Sequence, residues 1–179
     1  PREDVIASLL DIVRDTLARG RTPVIQAYIL GKSQEVTKIL TSAGIAVLQH
    51  PLVYEISQEY EACGCDLGEY QLYDAKQLEG KAVVVPPYTQ KAARLSGLQN
   101  IESIAVTGWA VSSGRRWTSS VDHAVPLSDH ADYDGLLECI AQVQPKVIYC
   151  THGPLSFVDH LKELGHEAYA LESLATAVR

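Results

Sequence analysis

The sequence predicts an α/β fold built on a parallel sheet, and three observations carry that prediction. Amphipathic helical stripes alternate with short apolar runs along most of the chain. The runs are bounded by Gly or Pro, as buried strands are. The segments between them are long enough to hold crossover helices, which align successive strands in parallel.

The elements follow in order. Val5, Ile6, Leu9, Leu10, Val13 and Leu17 recur at helical spacing, and Gly20 ends that stripe. Residues 23–29 form a strand. Gly31 turns the chain into a helix marked by Val36, Ile39, Leu40 and Ala43, which Gly44 stops. Residues 45–48 form the second strand, and Pro51 opens a helix with Val53, Ile56 and Tyr60 on one face. From Cys63 to Gly80 the chain is polar and reads as a long loop or short helix. Residues 82–85 are a buried strand closed by Pro86 and Pro87. A short helix is expected over 90–95, a strand over 103–107, and an exposed turn over 112–116. A strand over 121–126 leads to a helix carrying Leu136, Leu137 and Ile140, ended at Pro145. A buried strand over 146–151, a helix with Phe157, Val158, Leu161 and Leu164, and a strand over 167–171 complete the chain.

Composition bounds the function. With 179 residues and 46% hydrophobic content, the chain can bury a core as one domain or a domain plus a subdomain. The net charge of -7 argues against a broad basic surface for nucleic acid, while leaving room for a local groove. Starting at Pro1, with no Met anywhere, the chain is expected to be an excised or processed segment. Cys63, Cys65, Cys139 and Cys150 lack zinc-knuckle spacing and are expected to be reduced thiols. No signal peptide and no membrane-length apolar run is present, so the expected location is cytoplasmic.

Leu30-Gly31-Lys32-Ser33 looks like the end of a phosphate-binding loop. That loop needs a glycine five residues before Gly31, and Gln26 stands there, so ATP binding is not expected. The stretch with more chemistry is Ser128-Asp129-His130-Ala131-Asp132, followed by a helix, a strand and Thr151-His152-Gly153-Pro154. Both histidines fall at strand-to-helix junctions, where α/β sheets gather ligands. Ser128, Asp129 and Asp132 are also favoured N-cap and first-turn residues, and alone would mark only a helix start.

These two motifs resemble the closing part of a metallo-β-lactamase-fold nuclease of the β-CASP family, with its Ser-x-His-x-Asp and later His-Gly motifs. Tyr28-Ile29-Leu30-Gly31-Lys32-Ser33-Gln34-Glu35 resembles that family's Phe-Ala-Leu-Gly-Arg-x-Gln-Glu loop, and Gly108-Trp109-Ala110 its strand-end segment. The resemblance covers nearly the whole chain. It is nearest to the bacterial branch described as exonucleases, associated with DNA ligase or likened to messenger-RNA 3′-end processing factors. It implies a parallel-sheet β-CASP domain with helices on both faces over residues 1–116. Residues 117–179 would be the C-terminal closing segment of the metallo-β-lactamase αββα domain.

The resemblance also implies roles. His130 matches the general acid, His152 a zinc ligand, and Ser128 a residue near the scissile phosphate. Asp132 stands where ribonuclease J-like members hold a 5′ phosphate with serine, and an aspartate would repel that phosphate. Lys32, Arg115 and Arg116 are candidates to line a groove for single-stranded RNA or DNA. His152 in place of valine leans towards RNA. The implied cofactor is a pair of zinc ions in the parent enzyme, not retained by this segment. The His-x-His-x-Asp-His motif that would hold them is missing: Asp122-His123 and Asp129-His130 both lack the preceding His-x-His. The implied partners are nucleic acid and the N-terminal half of the metallo-β-lactamase domain, with room for a homodimer and no membrane. The segment alone is not expected to cleave phosphodiesters. Two other classes stay open: a non-catalytic nucleic-acid-binding subunit, and a small-molecule-binding α/β domain.

Overall fold

The structure, a computed structural model, describes residues 1–87, 95, 97–111, 121–151 and 153–171. The fold is α/β. The chain divides into two compact units, Pro1–His130 and Ala131–Arg179. The division by packing therefore differs from the one after residue 116. The reason is a strand, β6 (His123–Val125), that pairs in parallel with β5 (Ile101–Val106) and belongs to the first sheet.

The first unit is organised around a six-stranded sheet. Its other strands are β1 (Thr22–Gln26), β2 (Val47–Gln49), β3 (Tyr70–Leu72) and β4 (Ala82–Val85). The order is β3-β2-β4-β1-β5-β6, and every pairing is parallel. Alternation along the strands sends Ile25, Val47, Val84, Ile104 and Val106 to one face and Val24, Leu48, Val83 and Val85 to the other.

The first face carries three helices: α1 (Arg2–Ala18), α2 (Lys32–Ser42) and α3 (Pro51–Ala62). Their stripes deliver Leu9, Val13, Val36, Leu40 and Val53, all fully buried. Truncating Leu9 or Leu40 to Ala should cost about 2–5 kcal/mol. The opposite face is covered, among the described residues, by Tyr73, Leu78, Leu95 and Leu98. Topology explains the split. The crossovers β1 to β2 and β2 to β3 step towards one edge and carry α2 and α3. The connections β3 to β4 and β4 to β5 step back, and right-handed crossovers of opposite direction use opposite faces. The helix expected over 90–95 lies on one of these return connections; residues 90–94 lie outside the described residues, as does the turn expected over 112–116.

Strand β3 was not expected. It falls in the polar stretch after Cys63, pairs among the described residues with β2 alone, and leaves Gln71 and Leu72 exposed, so it carries no apolar run. A short 3-10 turn, Gly108–Val111, follows β5.

The second unit pairs β7 (Ile148–Cys150) with β8 (Ala168–Ala170) in parallel. Helices α4 (Tyr133–Val143) and α5 (Leu155–Glu163) accompany them. Its small core gathers Val158, Leu161, Ala168 and Ala170, with Leu137, Ile140 and Phe157 packed against it. An apolar recess of about 780 Å³ opens between Leu136, Ile140, Ile148 and Phe157. Among the described residues no helix is long and apolar enough to cross a membrane.

Candidate nucleic-acid-processing site

Three strand ends of the first unit build the site. The chain leaves β1 for one edge of the sheet, while β5 leads on to β6 at the other edge. The carboxyl ends of β1 and β5 thus flank a topological switch point, the usual ligand position in an open parallel sheet.

After β1, Ala27 donates its N–H to Val85 O at 3.0 Å, and Tyr28 O accepts the N–H of Ser33 at 3.0 Å. Ser33 Oγ donates to Ala27 O at 3.2 Å. Gly31 takes a φ of 81°, a left-handed conformation that favours glycine, and donates its N–H to Gln34 Oε1 at 2.9 Å. Gln34 Nε2 donates in turn to Ser57 Oγ of α3 at 3.2 Å. These bonds occupy the start of α2 with the loop's own groups. The phosphate-cradling reading of Leu30-Gly31-Lys32-Ser33 thus has no support in the geometry.

After β5, Thr107 donates its N–H to Val125 O at 3.1 Å. Gly108 then passes so close to Ser128 that a Cβ there would sit 2.9 Å from Ser128 Oγ. After β6, Leu127 is buried and anchors the following turn. Ser128 Oγ accepts the His130 N–H at 3.1 Å, a local side-chain-to-backbone turn. His130 is 91% exposed at its side chain. Together Tyr28, Lys32, Thr107, Gly108 and the 128–130 turn enclose a recess of about 310 Å³.

The charges in this recess are paired. Lys32 is 1% exposed and bonded to the Glu35 carboxylate, and its Nζ lies 3.9 Å from Asp129 Oδ1. Glu35 is also bonded to Arg2, which donates to Ser128 O at 3.3 Å through its second guanidinium nitrogen. Lys32 therefore lines the recess as a buried, partnered cation and not as an open groove residue. Asp132 serves α4 as N-cap, accepting the Gly135 N–H at 2.8 Å. His152, Arg115 and Arg116 lie outside the described residues. Arg2 carries no motif; only its approach to Glu35 and Ser128 in the folded chain brings it to the site. Glu35, three residues after Lys32 on one helix face, had a local signal in that spacing.

A second charge cluster lies at the opposite, amino-terminal ends of the strands. Buried Glu102 accepts from Arg19 at 3.0 Å and Arg21 at 2.6 Å, and lies 2.5 Å from His123. Burial alone would raise the Glu102 pKa, but bonds to His123 and Arg19 outweigh it and hold the carboxyl below its ordinary range. Asp122 is held low by the hydroxyl and N–H of Ser103, at 2.6 and 2.7 Å. Asp122 and His123 thus tie β6 to β5, while Arg19 and Arg21 reach Glu102 from the segment before β1. Among the described residues, no group of three or more His, Cys, Asp or Glu side chains could hold a metal ion. Cys63, Cys65, Cys139 and Cys150 are free thiols.

The geometry gives an α/β fold with a histidine turn at the switch point of its sheet, and sequence comparison adds to it. Residues 122–175 match the family described as the Zn-dependent metallo-hydrolase RNA specificity domain. That segment begins at β6, contains the 128–130 turn and runs through the second unit.

The chain is also 32% identical, over 172 residues, to a protein of Opitutus terrae named "Probable DNA ligase". The match takes in 96% of this chain but only 17% of that protein, so the chain spans a small part of the relative's length.

Proposed function

We propose that this chain is the substrate-facing, proton-donating part of a metal-dependent nuclease acting on single-stranded nucleic acid. The observation that carries the reading is the position of His130. It lies within the segment matching a metallo-hydrolase RNA specificity domain, and is held exposed at the switch point of the sheet. In the proposed hydrolysis the oxygen of water bonds to phosphorus, the phosphorus–oxygen bond to the leaving group breaks, and His130 gives its proton to the departing oxygen. Ser128 orders the turn through the His130 amide, and in this proposal its hydroxyl borders the substrate phosphate. The chain's described residues do not themselves fit a zinc pair, so the metal is assigned to the rest of a longer protein, with His152 as this chain's one contribution.

Asp132, Arg115 and Arg116 belong to the proposal as residues near the substrate, though Asp132 spends one carboxylate oxygen on its helix cap. The proposed domain assignment follows: residues 1–116 as a β-CASP-like cap and 117–179 as the closing part of the catalytic domain. The family description points to RNA and the relative's name to DNA, so the proposal names single-stranded nucleic acid of either kind.

The test is a competition assay on the longer protein with labelled single-stranded RNA, single-stranded DNA and blunt duplex DNA. Preference for either single strand supports the reading; preference for intact duplex overturns it. A second reading stays open, a nucleic-acid-binding subunit without catalysis. Binding of single strands with no cleavage by the longer protein in zinc would select it.

A further inference from the structure

We propose that Lys32 is a positioning residue, a buried cation at the centre of an ionic relay that fixes the 128–130 turn and with it the backbone from which His130 projects. The functional meaning rests on reading His130 as proton donor; the relay itself rests on geometry alone.

Lys32 is among the largest fully buried side chains of the chain. A buried ammonium is costly unless it is paired, so its partners define its role. They are Glu35, one turn along α2, and Asp129 Oδ1 at 3.9 Å. Glu35 is shared with Arg2 at the start of α1, and Arg2 donates to the Ser128 carbonyl at 3.3 Å. Asp129 Oδ1 also lies 3.9 Å from His130 Nε2. The relay therefore joins α1, α2 and the loop after β6, three segments distant in sequence.

Two features separate this role from its alternatives. Arg2 and Lys32 balance Glu35 and Asp129, so the relay has no surplus positive charge to attract a phosphate. The apolar core contacts of the same helix come from Val36 and Leu40, and its other buried side chains, Ser33, Gln34 and Thr37, are neutral, so Lys32 brings the one buried charge of α2 among the described residues. What the ammonium adds is a counter-charge between the Glu35 and Asp129 carboxylates. Without it they repel, and the half-exposed one, Asp129, is the one free to swing away, taking the His130 backbone with it.

The test uses the full chain and reads backbone order at Ser128, Asp129 and His130 by NMR relaxation. The wild type is expected to show order parameters near about 0.85 at these amides, and Lys32→Met values below about 0.6, with β1 and β5 resonances unchanged. Lys32→Arg is expected to restore order, which a general loss of packing would not allow. Arg2→Gln is the second variant. It removes a partly exposed side chain, leaves no buried charge unpaired, and is expected to loosen the same three amides. In the longer protein, Lys32→Met should lower kcat about tenfold with KM within about twofold, as misplacement of a catalytic group does. Unchanged order at 128–130 in Lys32→Met, or in Arg2→Gln should Lys32→Met fail to fold, overturns the relay. Full turnover by His130→Ala would overturn the proton-donor reading instead, leaving the amide measurement to stand by itself.

Discussion

Gly108 meets Ser128 with no room for a methyl group: an added Cβ would lie 2.9 Å from Ser128 Oγ and 3.0 Å from its Cβ. Gly108→Ala should therefore displace Ser128 and cost about 1–3 kcal/mol, the usual range for overpacking. Urea unfolding measures the cost, and loss of the His130 amide's protection from exchange reports the displaced hydroxyl. In the longer protein, His130→Ala is expected to abolish turnover with zinc content nearly intact, because a proton donor to the leaving group does not hold the metal. His152→Ala should lower zinc content and rate together, because a ligand is lost. Metal analysis beside activity separates the two, and equal zinc loss in both variants would contradict the assignment. At this scale the sequence was partly legible. Ser128 and His130 stood out because their spacing is a motif, and Gly31 because a turn had to precede α2. Arg2 gave no sign, since its contacts with Glu35 and Ser128 exist only after α1 and α2 have packed on the same face.

Helix α3 begins at a titratable cap. His50 is 5% exposed, and its Nδ1 accepts the Leu52 N–H at 3.2 Å. Burial holds its pKa below the ordinary value. A folded-state pKa below the unfolded one means stability that is complete above about pH 6.5 and lost as pH falls through the folded value. The urea midpoint should therefore fall between pH 8 and 5, and His50→Asn, which keeps an acceptor but does not titrate, should flatten that fall. Asp122 and Glu102, held low by their partners, give a second loss of stability below about pH 4, and Asp122→Asn should weaken it. Elements were legible where one face is apolar, as in α1, α2 and α3, because burial writes a period into the sequence. Strand β3 was not, because an edge strand of three exposed or half-buried residues needs no such period. The strand order was not legible either. It depends on β4 returning to lie between β2 and β1, a choice made by crossover direction and not by any one strand's residues.

For the whole molecule, metal and charge give the tests. The chain alone is expected to hold zinc weakly, with no two ions surviving dialysis, since the described residues offer no ligand group. Two tightly held zinc ions per chain would refute its assignment as a part of the site. A net charge of -7 argues against a broad basic face on this chain, so its own contacts to single strands should be few and local. The affinity should then fall shallowly with salt, by about two to four phosphates' worth of counterion release. A steep slope measured over several salt concentrations would point to another surface. Both histidine motifs fall within the segment that matches a Zn-dependent metallo-hydrolase RNA specificity domain, so that much of the resemblance was legible. The boundary between compact units was not, because β6 is too short to announce which sheet it joins.

That boundary bears on how such proteins can be recombined. His130 is the last residue of the first compact unit, although the matching family segment begins upstream at residue 122. A chimaera cut where the family segment begins would graft in a foreign β6 and its turn, leaving Arg2, Lys32 and Glu35 facing a loop with which they did not evolve. A cut after His130 exchanges the second unit while the histidine stays with the sheet that holds it. Breeding new specificities from this scaffold should succeed at the second junction and fail at the first, a difference of a few residues in the splice site.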